Sequence, residues 1–154
     1  MMRTPAVPML CDVNVLLALV TDRHAAHAAA VHWLDGVPAG GAIICRVAQT
    51  GLLRLLNNPA VMGEDVLDTT ACWELWRRLL EDERVRFAPA EPPGLDAAFA
   101  RFTSGKAFTP RLWTDAYLAA YAQASGLTLV TFDRGFRQFD SLACHVIESG
   151  RPPQ

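Results

Sequence analysis

The chain has 154 residues, 51% of them hydrophobic and 19% charged, with a mean hydropathy of +0.16 and a formal net charge of −2. That composition excludes a disordered chain and argues against a uniformly basic nucleic-acid binder; the length suits a single domain, taken as 1–154, with a core of its own. No stretch reaches the ~20 apolar residues of a membrane span, no signal-like run opens the chain, and Cys11, Cys45, Cys72 and Cys144 lack C-x-x-C spacing and read as reduced thiols, so a cytoplasmic protein without membrane contact is expected.

Residues 7–11 form a short apolar run that reads as a buried strand, and 14–20 can begin a helix. Residues 24–34 are Ala-rich and helical, stopped by Asp35, Gly36 and Pro38. The run 42–45 is a second strand, followed by a helix over 46–56 that ends at Asn57-Asn58-Pro59. Residues 61–68 look like a loop. Thr69 or Thr70 would cap a helix running to about Glu83, with Trp73 and Trp76 on its apolar side. Residues 85–87 are a brief strand, 95–102 a helix, and 103–109 a polar loop suited to a site. A helix over 110–125 would have Thr109 as its cap, Pro110 at its first position and Gly126 at its end. Residues 127–132 are the clearest strand; 135–139 can form a helical turn and 144–147 a last strand. Short strands alternating with helices predict an α/β fold with a mostly parallel sheet.

Three carboxylates stand at element ends: Asp12 after the first strand, Asp115 near the start of a helix, and Asp133 after the 127–132 run. Each has a plain structural reading: Asp12 as a helix cap, Asp115 as an acid favoured by the helix dipole, Asp133 as a turn residue before Gly135. In an open α/β sheet, however, the carboxyl ends of strands and the first turns of following helices share one crevice. Carboxylates gathered there repel one another and require a counter-charge; hard oxygen ligands suit Mg²⁺ or Mn²⁺. Asn14, two residues after Asp12, can orient a carboxylate or a water. His24, His27 and His32 lack the further ligands that zinc needs and read as helix-face residues. Arg46, Arg54, Arg134 and Arg137 divide between surface solvation and phosphate contact. Trp73 and Trp76 read as core, with an apolar groove for a partner helix as the alternative.

The segments Asp12-Val13-Asn14-Val15-Leu16, Arg46 to Arg54, Thr114-Asp115-Ala116-Tyr117-Leu118-Ala119 and Thr131-Phe132-Asp133-Arg134-Gly135-Phe136 resemble, in order, those of PIN-domain ribonucleases, specifically VapC-type toxins of toxin–antitoxin pairs. The resemblance implies a PIN-like three-layer fold with a central five-stranded sheet flanked by helices. It also implies a Mg²⁺- or Mn²⁺-dependent endoribonuclease, a homodimer and a cognate VapB-like antitoxin. It assigns Asp12, Asp115 and Asp133 to the metal site. Where the family carries a fourth acid, this chain has Gln49, which offers a neutral oxygen and leaves one or two ions open. Thr131 would hydrogen-bond Asp133 or a water.

The expected reaction is hydrolysis of RNA to 5′-phosphate and 3′-hydroxyl ends, with Gln49 or Asn14 orienting the water. The rival class is a PIN-like module that binds antitoxin or RNA without efficient cleavage. Aspartyl-phosphate chemistry fits poorly, because Asn14 stands where a second Asp is wanted and the sole lysine, Lys106, falls in a loop.

Overall fold

The structure is a computed structural model and describes residues 7–149. The first residues of the chain, read above as free of a signal, and the outer ends of the expected 1–154 domain lie outside the described residues.

Five strands, β1 (Met9–Cys11), β2 (Ala42–Cys45), β3 (Val85–Ala88), β4 (Thr128–Thr131) and β5 (Cys144–Val146), form one sheet in the order β3-β2-β1-β4-β5. Every pairing is parallel, so the mostly parallel sheet expected is wholly so. All four residues of β2 are buried although they alternate between faces. Both faces are therefore covered, giving the expected three layers. The covering elements are α1 (Val13–Val20), α2 (His27–Asp35), α3 (Arg46–Leu56), α4 (Pro59–Met62), α5 (Thr69–Glu81), α6 (Leu95–Thr103) and α7 (Leu112–Ser125). One core joins Leu10, Ile43, Leu52, Leu118, Leu129 and Phe136, and truncating one of its leucines to Ala would cost about 2–5 kcal/mol. Among the described residues no helix is long and apolar enough to cross a membrane.

The topology creates a crevice. From β1 the chain moves outward to β2 and β3, then returns to β4 on β1's other side and continues to β5. Strand order thus reverses between β1 and β4, the position where open α/β sheets bind ligands. Register places Cys11 beside Val130, and the Asp12 N–H donates to the Val130 carbonyl at 3.0 Å. Asp12 and Thr131 therefore leave the sheet side by side.

Several boundaries differ from the sequence reading. Part of the expected 61–68 loop is ordered as the end of α4 and a 3₁₀ turn over Gly63–Asp65. Asn58 accepts from the Ala60 N–H at 2.9 Å and Pro59 fills the first position, so the signal that ends α3 also starts the next helix. The cap of α5 is Asp68, which accepts from the Ala71 N–H at 2.8 Å, not Thr69 or Thr70. Neither Thr109 nor Pro110 starts α7: the Leu112 N–H reaches the Thr109 carbonyl in a preceding turn, and the helix begins at Leu112 with Arg111 at its cap position. Gly126 does close α7, at φ 69° with the Leu127 N–H bonded to the Ala122 carbonyl. Gly51 brings α3 against α1: a Cβ there would lie 2.8 Å from Val13 Cγ2.

Candidate active site

Asp12 is both the cap of α1 and the deepest acid of the crevice. One oxygen accepts from the Val13 N–H at 2.7 Å and the other from the Thr131 hydroxyl at 2.7 Å. The residue is 3% exposed and Thr131 is wholly buried. Burial pushes the Asp12 carboxyl up, against the pull of these two hydrogen bonds. Capping thus accounts for one of its oxygens and leaves a buried charge to be balanced.

Thr131 couples two of the acids. Its hydroxyl donates to Asp12 and accepts the Asp133 N–H at 2.9 Å. Asp133 turns one oxygen to the Gly135 N–H at 2.8 Å, the turn contact expected from its sequence, and the other to Arg111 at 3.3 Å. Asp115 comes from α7, which runs back toward β4, so its first turn lies at the same edge. Its carboxylate meets the second Arg111 nitrogen at 3.7 Å. Burial pushes Asp115 up to about 6; Arg111 lowers it, while Asp12 and Asp133 raise it. One guanidinium therefore contacts two of the carboxylates and is felt by the third.

A cavity of about 400 Å³ opens on this cluster, lined by Asp12, Asn14, Gly51, Arg54, Arg111 and Asp115 among others. Asn14 sits at its boundary with a second cavity, its amide 3.4 Å from both Thr131 Oγ1 and the Phe132 N–H. Gln49 lines a neighbouring groove that shares Arg54 with this cavity. Its carbonyl oxygen accepts from Arg46 at 2.7 Å, and Cys72 and Trp73 line the same groove. Gly51 lies two positions, roughly 200° around a helix, from Gln49, and the residues of α3 nearest the acids include Gly51 and Arg54. The contribution of α3 to the cavity is a base.

The other candidates sort by contact. Arg54 reaches the crevice; Arg46 lies over the Phe87 ring, 4.8 Å from its centroid, and Arg134 pairs with Glu148 at 3.6 Å. His24 Nδ1 accepts the Ala26 N–H and His27 Nδ1 meets the Ala18 carbonyl, so both brace the start of α2. Trp76 is buried edge-on to Phe87, but Trp73 is exposed, which divides a pair the sequence reading took as core. Sequence reasoning missed Arg111. Its spacing of four residues before Asp115 was the available signal, since such residues face one another on a helix.

Hard, partly desolvated oxygens with residual negative charge match what Mg²⁺ or Mn²⁺ requires. Among the described residues, no group of three His, Cys, Asp or Glu side chains is drawn together tightly enough to hold an ion as it stands. Arg111 stands between two of the acids.

A family model described as PIN domain matches residues 9–142. Ribonuclease VapC41 of Mycobacterium tuberculosis is 39% identical over 143 residues, covering 90% of this chain and 98% of that protein. Among solved structures, VapBC2 from Rickettsia felis, bound to a promoter DNA fragment, aligns with a TM-score of 0.64 and 12% identity over 91% of this chain and 98% of its own. M. tuberculosis VapC20, described as a Sarcin-Ricin loop cleaving toxin, aligns with a TM-score of 0.62 and 16% identity over 94% and 99% of the two chains. At those identities the two structures speak for the fold.

Proposed function

This chain belongs to the PIN domain family, and we propose that it is the ribonuclease toxin of a VapBC-type toxin–antitoxin pair, cutting RNA in the cytoplasm with Mg²⁺ or Mn²⁺. Its 39% sequence identity to Ribonuclease VapC41, over 90% of this chain and 98% of that protein, supports the activity class. What supports the chemistry is that Arg111 contacts both Asp115 and Asp133 while Thr131 links Asp133 to Asp12, at the point where strand order reverses. Structures of VapBC assemblies share the fold, and a VapB-like antitoxin and a second copy of the chain are the proposed partners.

Asp12, Asp115 and Asp133 would hold the ion. Bound there, it would acidify a water and polarise the scissile phosphate. Thr131, which donates to Asp12, would hold that carboxylate in position, and Asn14, at the cavity boundary, would orient the attacking water. In-line attack on phosphorus expels the 3′ oxygen and leaves 5′-phosphate and 3′-hydroxyl ends; no ribose 2′-OH and no catalytic His pair is required. Gln49, whose oxygen accepts from Arg46, is given no step in this scheme.

The test is cleavage of a mixed single-stranded RNA pool with end-group mapping. Activity should disappear in EDTA, return with Mn²⁺ or Mg²⁺, and yield ends that a 5′-phosphate-dependent exonuclease degrades. Full activity in EDTA, or 2′,3′-cyclic ends, overturns the scheme.

A further inference from the structure

Arg111 is the cation at the centre of the acidic crevice, and its place decides what it does. It stands at the cap of α7, with one guanidinium nitrogen 3.7 Å from Asp115 and another 3.3 Å from Asp133. Its side chain is 59% exposed, while those of Asp115 and Asp133 are 16% and 33% exposed. The base is thus the outer partner of both pairs, and Asp115 is the more deeply set of the two acids. The planar fork spans two carboxylates that belong to different elements. A divalent cation accepting those same oxygens at ~2.0–2.6 Å leaves no room for a guanidinium on them, and the two positive charges repel.

We propose that Arg111 is a displaceable internal counter-ion: it neutralises Asp115 and Asp133 until a divalent metal takes their oxygens, and the freed guanidinium then binds a phosphate of the RNA at the cavity mouth. This rests on the assignment of the three acids as metal ligands. Two further features agree with it. The pairing distances are those of loose ion pairs, of the kind that contribute little in water and break readily. Arg54 lines the same cavity from α3, so a phosphate drawn there meets a second fork. Arg111 is in this account a competitor for one ligand and a recruiter of the other.

The experiment is Mn²⁺ titration by calorimetry and by the Mn²⁺ electron paramagnetic resonance signal, on the full chain and on Arg111→Gln, Arg111→Lys and Asp12→Asn. Removing the competing charge should tighten Mn²⁺ binding roughly 3- to 10-fold in Arg111→Gln, the scale that two partly exposed ion pairs sustain, with Arg111→Lys near wild type. The Mn²⁺-loaded Arg111→Gln protein should in turn bind inorganic phosphate about 5- to 10-fold more weakly than loaded wild type. Unchanged or weaker Mn²⁺ affinity in Arg111→Gln overturns the displacement; unchanged phosphate affinity overturns the recruitment. Asp12→Asn separates this from the underlying assignment. If it binds Mn²⁺ as wild type does, the metal site itself is elsewhere, whatever Arg111 does.

Discussion

Where β1 and β4 end, Asp12 is buried among neutral donors and Asp133 leans on a half-exposed arginine; where β2 ends, one strand away, Arg46 donates to Gln49 at 2.7 Å and lies over the Phe87 ring. Both regions sit on the same edge of the same sheet, and both carry polar side chains. In the second, one hydrogen bond joins a guanidinium to a neutral amide oxygen, and the positive charge lies over a ring face. In the first, negative charge exceeds what its neighbours neutralise, and burial makes the excess expensive. The two regions therefore differ in the sign of the charge they present: acids crowd the ends of β1 and β4, and a base stands at the end of β2.

The contrast breaks most visibly at Asp12. Asp12→Asn keeps the shape and most of the hydrogen bonding, so the melting temperature should stay within a few degrees, while RNA cleavage falls by roughly 10²–10³-fold, the loss of several kcal/mol of metal-supplied stabilisation. Initial rates at saturating Mn²⁺ measure it, and a rate near wild type removes the crevice from the chemistry.

Thr131→Val sharpens the comparison by uncoupling the acids without touching their charge. It strips a buried donor from Asp12 and an acceptor from the Asp133 N–H. We expect cleavage to fall about 10- to 100-fold, as when the support of a metal ligand is removed, and stability to drop by about 1–3 kcal/mol. Paired urea denaturation and rate measurements separate the two effects.

Asp115 reports the excess charge through pH. Its folded value, about 6, lies above the ordinary 3.8, so the folded protein holds a proton that the unfolded chain releases across that window. The cost of the ionised group is therefore complete above pH 6, fades as pH falls through 6, and is gone below the unfolded value. In EDTA, Asp115→Asn should raise stability at pH 7.5 by about 1–2 kcal/mol, and the gain should vanish near pH 4. A gain independent of pH contradicts the electrostatic origin.

The smallest effect belongs to the region at the end of β2. Gln49→Leu should leave the cleavage rate unchanged and cost about 1–2 kcal/mol of stability through the lost bond to Arg46. A rate loss comparable to that of Asp12→Asn would place Gln49 back among the acids and erase the contrast.

These two regions were unequally legible in the sequence. The carboxylates after apolar runs, Asp12 and Asp133, were visible because strand direction alone sends the next residue to the crevice. The bounds of β2 and α3 were readable too, since four buried apolar residues run directly into an amphipathic helix. The rotation of α3 was not. Its apolar side, with Val47, Leu52, Leu53, Leu55 and Leu56, is broad enough to leave the phase open, and the groove that Gln49 lines with Cys72 and Trp73 could not be read from it. The close approach at Gly51 turns its side of α3 toward α1. Half of the Arg111 arrangement was written locally, in its spacing from Asp115. The other half, with Asp133, required α7 and β4 to be folded together.

The hydrogen that Gly51 carries in place of a methyl has a reach beyond its own contact. It lets two helices bordering Asp12 nest so closely that a single added carbon would collide with Val13 Cγ2 at 2.8 Å. A position with no side chain to offer a substrate thus acts as the spacer of a calliper, gauging how wide the jaws stand. Enlarging it would misalign the grip while every acid in it remained intact.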